Sequence, residues 1–289
     1  TQIAYNTESI VTSTVRTNGI LIAQIVPRGS LISGTSSIMK LVGRDWEDAT
    51  YLKDDGIHIY WPESHDYQYH GHSHNFTASD NNDHEDELDE VLNSISLIQN
   101  LFLEAQKYSE IKNNEVDLRL QSMQGLFTGE QTLFIHVNGA NGIKESVMFA
   151  KKNNIKKIVL VGASESWRVT DFISSNDIPV VLGRIHRLPN YPEDDVHQPY
   201  KTPKILKDAN ILFCLDYSGD MPRMGSRNLP FVAGTTVAFG LNKEEALQLI
   251  TFNAAKILGI DEKTGTLETG KDANLFVSTG DALDMMGHN

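Results

Sequence analysis

The chain carries two kinds of hydrophobic pattern, and they alternate. Short continuous apolar runs predict strands at about 20–26, 36–42, 56–61, 132–137, 157–161, 178–183 and 211–215. Runs without a polar position are expected of strands covered on both faces of a parallel sheet. Between them, apolar residues at helical spacing predict helices at about 88–110, 116–124, 143–153, 167–174 and 201–209. A further helix is expected over 1–18, with Ile10, Val11 and Val15 on one side and Asn18-Gly19 as its end. Past residue 132 the βα alternation is regular, which indicates a parallel α/β sheet.

Near the carboxyl end the local signals are sharper. Asn242 and Glu245 are spaced as a capping box, and Ala246, Leu247, Ile250, Ala254, Ile257 and Leu258 continue a helix that Gly259 stops. Gly265 to Val277 then reads as a turn and two short strands about Gly270. No G-x-G-x-x-G and no G-x-x-x-x-G-K-[ST] follows the first strand, which favours a closed barrel over an open nucleotide-binding sheet.

Residues 63–87 break the pattern. They are polar, acidic and His-rich, with almost no aliphatic residue, and read as a surface insertion that builds no core. His70, His72 and His74 lie there with no strand before them, so the tract suits adventitious metal binding better than catalysis. Asn75-Phe-Thr77 has the form of a glycosylation acceptor, meaningful only in a eukaryotic secreted protein.

Composition narrows the function classes. The formal net charge is −13, which argues against nucleic acid or an anionic membrane as the main partner. The single cysteine, Cys214, excludes an intrachain disulfide and reads as a core residue of an apolar strand. No apolar run reaches the roughly 18 residues that span a bilayer. Gly162-Ala-Ser164-Glu-Ser166 falls short of the G-x-S-x-G nucleophile elbow.

The run from Glu244-Glu-Ala-Leu-Gln-Leu-Ile-Thr-Phe-Asn-Ala-Ala-Lys-Ile-Leu-Gly-Ile260 to Thr264-Gly-Thr-Leu-Glu-Thr-Gly-Lys-Asp-Ala-Asn-Leu-Phe-Val277 resembles the carboxyl-terminal signature of the amidohydrolase superfamily, nearest its imidazolonepropionase-like members. Val26-Pro-Arg-Gly29 with Leu31-Ile-Ser-Gly34 is similar to a loop of the same family. The resemblance implies a (β/α)8 TIM-type barrel at 1–259 and part of a small β-sandwich at 260–289. It also implies a first barrel strand, ending in His-x-His, that nothing before Ile20 matches. The barrel is therefore expected to be incomplete at its amino end, with exposed edges at the Ile20 and Ile211 strands, and to depend on the missing part or another chain.

The resemblance further implies a metal-dependent hydrolase of C–N bonds in amide or cyclic amide small molecules, with zinc or another divalent metal. His136, closing its strand, is similar to the family's metal-binding histidine. Asp220 is similar to the Asp that binds metal and shuttles the proton of the activated water, with Asp216 as its competitor. Glu63 falls where relatives carry a bridging ligand, and His186 with Arg184 falls where substrate is touched. Val161 departs from the pattern: it stands where a metal-binding His is usual. That departure supports an alternative, a degenerate relative that binds a small molecule without catalysis. Compartment and export are left open by the sequence.

Overall fold

The computed structural model describes residues 1–29, 31–63, 83–110, 116–217 and 224–286, the side chains of 83–87, 109–110 and 224 excepted. Nine strands are described: β1 Ile22–Ile25, β2 Ile32–Thr35, β3 Ser37–Lys40, β4 Thr50–Leu52, β5 Gly56–Tyr60, β6 Thr132–Val137, β7 Ile158–Gly162, β8 Val180–Leu182 and β9 Phe213–Leu215. They form two sheets. One is three-stranded, in the order β1-β3-β4, and the other six-stranded, in the order β2-β5-β6-β7-β8-β9.

Strands β5 to β9 run parallel, each beside its sequence neighbour, and β2 joins β5 antiparallel. The architecture is a mixed α/β fold built on a parallel sheet. The expectation that 20–26 and 36–42 are further strands of that sheet is corrected: both lie in the antiparallel three-stranded sheet. β1 is half-buried at every position, whereas Ser37, Ile38 and Met39 of β3 are buried. Ser36 parts β2 from β3, and the chain passes from one sheet to the other there. The edges of the large sheet are accordingly β2 and β9.

The helices are α1 Ile10–Arg16, α2 Trp46–Ala49, α3 Asp83–Glu110, α4 Leu118–Ser122, α5 Gln124–Thr128, α6 Ala140–Lys152, α7 Thr170–Ser175, α8 Gln198–Asp208, α9 Leu229–Ala238, α10 Lys243–Gln248 and α11 Phe252–Ile257. In α1, Val15 is buried and Ile10 lies in solvent, so the expected three-residue apolar side is only partly used. The helix over 242–259 is present as two pieces. The Asn242–Glu245 capping box forms as expected, but Thr251, at φ −126 and ψ −92, breaks the chain between α10 and α11. Residues 265–277 adopt no strand among the described residues, against expectation.

Strand alternation sorts the core into two faces. Ile57, Ile59, Leu133, Ile135, Val137, Ile158, Leu160, Val180, Leu182, Phe213 and Leu215 point to one face and pack against helices α3, α6, α8, α9 and α10 in the main core. Phe134, Val159, Val161, Val181 and Cys214 point to the other face, where Ala254 and Ile257 of α11 meet them. On that second face, register places Tyr60, His136, Val161, Val181 and Cys214 in one row across five strands, with His58, Phe134 and Val159 in the row below.

Candidate active site at the carboxyl edge of the parallel sheet

β6 carries His136 to its carboxyl end on the second face, because Leu133, Ile135 and Val137 take the core face. The ring is half-buried and stacks on Tyr60 of the neighbouring strand, with centroids 4.2 Å apart. Below it lies His58 of β5. This residue is fully buried and stacks on Phe134 at 4.6 Å and 8°. His58 Nδ1 and His136 Nε2 are 2.9 Å apart, a hydrogen bond in which one imidazole donates and the other accepts. Burial holds both rings neutral. It lowers His58 to about 3, with His136 as a second cause, and His136 to about 4. His58 was not singled out by the sequence reading. The alternation of Ile57, His58, Ile59 and Tyr60 could have placed it beside His136, since Ile57 and Ile59 must take the core face.

Glu63 follows β5 by three residues and turns toward the start of α6. Its Oε2 accepts from the Asn138 amide at 2.9 Å, and its Oε1 from the Gly139 amide at 2.7 Å. Glu165 Oε2 accepts from the next amide, Ala140, at 3.0 Å. Two carboxylates thus satisfy three amides at the start of a helix whose Gly139 N-cap has no side chain to do so. Burial raises the Glu63 carboxyl above its ordinary range, against the pull of those two amides.

His186, past β8, is half-buried. Its Nε2 meets Thr235 Oγ1 of α9 at 2.9 Å, and its ring lies 5.7 Å from Tyr200. Burial first and the Arg184 charge second lower its pKa. Arg184 Nε donates to the His186 carbonyl at 3.0 Å, and its guanidinium lies 5.8 Å from the Tyr217 ring. A cavity of about 580 Å³ opens here, lined by His186, Arg187, Leu188, Val196, His197 and Tyr200. Asp216 directly follows β9, and its amide donates to the Leu182 carbonyl at 2.8 Å. Asp220 and His70, His72 and His74 lie outside the described residues.

The structure therefore brings His136 together with His58 and Tyr60, and His186 together with Arg184 and Thr235. Val161 stands beside His136 in the register and offers no donor. Among the described residues no group of three or more His, Cys, Asp or Glu side chains is placed to hold a metal ion. No helix of the described residues is long and apolar enough to cross a membrane.

The comparisons with known proteins agree with this architecture. The model of the amidohydrolase family matches residues 198–286, which include β9, Asp216 and helices α8 to α11. The matched segment is under a third of the chain, and over it the chain is similar to the amidohydrolase family. It is similar to the imidazolonepropionase of Yersinia pestis (strain Pestoides F), 31% identical over 144 residues, 48% of this chain and 33% of that protein. The imidazolonepropionase of Yersinia pseudotuberculosis serotype I (strain IP32953) matches with the same identity and coverage. The chain spans about a third of the length of these curated relatives. In fold it is similar to an amidohydrolase from Thermotoga maritima MSB8, with a TM-score of 0.81 and 19% identity over 99% of this chain and 73% of that one.

Proposed function

We propose that the chain is part of a hydrolase that cleaves the C–N bond of a small amide or cyclic amide at the carboxyl edge of β5 to β9. The observation that carries this reading is the family match over residues 198–286, the part that supplies β9 and Asp216. The parallel strands are read as five of the eight strands of a (β/α)8 barrel, and residues 260–289 as part of a separate small β-sandwich. Barrel enzymes place their chemistry at the carboxyl ends of strands, where His136, Asp216 and His186 are found.

The superfamily implies a divalent metal such as zinc. The described residues do not make up its site. His136 has one nitrogen engaged by His58, Glu63 has both oxygens engaged by backbone amides, and Val161 offers none. A zinc reading therefore relies on Asp220 and on groups beyond the described residues, and no step is derived through the metal. The roles left to the chain's own residues are proton transfer by a carboxylate, Asp220 or in its place Asp216, and binding of a polar substrate group by Arg184 and neutral His186. A second reading, a binder that has lost catalysis, is favoured by Val161 beside His136.

The test is hydrolysis of a panel of small amides and cyclic amides by the purified protein, with zinc counted per chain after dialysis. Turnover with about one zinc or more per chain is the expected result. Asp220→Asn and Asp216→Asn are then compared, and the residue that transfers the proton loses about 10²–10⁴-fold in rate. Bound amides that stay intact, in a protein without metal, would replace the hydrolase with the binder.

A further inference from the structure

We infer that the carboxyl of Asp55 is a proton-operated latch between the two sheets: it holds two passages of the chain together while protonated and loosens them when the proton leaves. The inference goes beyond the proposed reaction and does not depend on it. Three observations carry it. The first is where Asp55 lies. The chain passes from the large sheet to the small one at Ser36, between β2 and β3, and returns over residues 53–55, between β4 and β5. Gln24 of β1 meets both passages. Its Nε2 donates to Asp55 Oδ2 at 2.5 Å and to Ser36 Oγ at 3.2 Å. Ser36 in turn donates its amide to the Gly56 carbonyl at 2.9 Å, and the Asp54 amide donates to Ser37 Oγ at 3.2 Å.

The second is burial. Asp55 is 9% exposed, Ser36 is fully buried, and Asp55 Oδ1 is sealed from solvent with no hydrogen-bond partner. A carboxylate there would hold its charge away from water with one oxygen unanswered, whereas the protonated acid has no charge to bury. Burial accordingly raises the Asp55 carboxyl above its ordinary range, against the pull of Gln24.

The third is the company Asp55 keeps. β1 presents Gln24, the first passage presents Ser36, and the Thr132 amide at the start of β6 donates to the Asp55 carbonyl at 3.0 Å. None of these groups titrates. The charged group that acts on Asp55 is Asp54, also acidic, and it raises the carboxyl further. A passage that needed only the bond to Gln24 would be served by Asn, which accepts the same bond and cannot ionise. What Asp adds is a response to pH. Opening the junction returns Asp55 to water, where a carboxyl of this kind ionises near about 3.9. From about pH 4 up to the pH at which folded Asp55 titrates, opening releases a proton and becomes about tenfold more favourable per pH unit; above that point it changes no further.

The experiment is amide hydrogen exchange by NMR from about pH 4 to about pH 8 on wild type, Asp55→Asn and Gln24→Leu, with the Asp55 carboxyl followed by its 13C shift. Protection at β1 and β3 of the small sheet is divided by that at β7 of the large one, so that a change in global stability cancels. In the wild type the carboxyl titrates above about 3.9, and the ratio falls about tenfold per pH unit until it does. Asp55→Asn keeps the high ratio at every pH, and Gln24→Leu has the low ratio even at the acid end. A carboxyl that titrates at or below about 3.9, a ratio that holds steady in the wild type, a wild-type pH dependence retained in Asp55→Asn, or a high ratio kept by Gln24→Leu overturns the inference. If Asp55→Asn fails to fold, the wild type decides: a fall that levels off where the carboxyl titrates supports the latch, and a fall that levels off elsewhere overturns it.

Discussion

At the residue scale, two groups at the sheet edge lead to measurable consequences. His58 and His136 are held neutral, at about 3 and about 4, whereas a histidine in the unfolded chain takes up a proton near 6.5. As pH falls below about 6.5, the unfolded chain gains protons that the folded chain does not, so folding stability falls from pH 7 toward pH 4. Asp55 and Glu63 are raised by burial and act with the opposite sign, favouring the fold at low pH and losing that contribution as pH rises. Denaturant midpoints measured from pH 7 to 5 should fall, and fall less in His58→Phe; an equal slope in the variant would remove His58 as a source. Glu63 has a second consequence. Replacing it with Ala leaves the Asn138 and Gly139 amides without their carboxylate and is expected to cost about 1–3 kcal/mol in a denaturant titration. The sequence made His136, Glu63, His186 and Arg184 legible as candidates because each follows or closes an apolar run. It did not reveal that Glu63 answers to backbone amides, since that contact spans 75 residues of chain.

At the element scale, the parts that were legible are those fixed by local chemistry. The capping box at Asn242 and Glu245 forms as spelled, and Asn242→Ala is expected to lose about 1 kcal/mol of stability by denaturant titration. Strands β5, β6, β8 and β9 fall within the apolar runs that predict them and β7 passes its run by one residue; β6 to β9 place residues in the core on both faces. The failures share a cause. β1 and β3 have runs as apolar as the others, and composition alone does not distinguish a strand of the large sheet from one that pairs antiparallel elsewhere. The break between α10 and α11 is likewise invisible in the periodicity, which continues through Thr251. α9 was not foreseen. Its apolar residues lie on every side rather than in a stripe, as suits a helix with Val232, Ala233 and Thr236 buried. Gly234 in that helix has the Leu283 carbonyl against the place where a Cβ would stand. Gly234→Ala is therefore expected to push residues near 283 off α9 and to speed their proteolysis, with little change in the protection of α6.

At the scale of the whole molecule, the chain is two sheets joined at Ser36 and held by contacts distant in sequence. Ile38 of the small sheet packs with Ala255 and Ile260, and Tyr51 donates to Asp272 at 2.7 Å. Burial first, and Asp272 second, push the Tyr51 phenol up. These contacts tie β3 and β4 to the segment that follows α11, which is where the family signature lies. The fold likeness to the Thermotoga maritima amidohydrolase extends over 99% of the chain, so the small sheet belongs to the shared architecture as much as the large one does. The sequence resemblance was clearest in the carboxyl-terminal third. That is the part where turns, caps and glycines, rather than interchangeable aliphatic residues, carry the pattern.

The row across the second face ends at Cys214, and that placement gives the molecule an internal clock. Cys214 is the chain's one thiol, it lies in the edge strand β9, and burial raises its pKa, which withholds the reactive thiolate. A thiol reagent reaches it only when β9 parts from β8 or α11 lifts away. The labelling rate therefore times the opening of that edge. A small-molecule ligand that stabilises the carboxyl edge would slow the clock without touching the cysteine, so binding could be followed before any product is known.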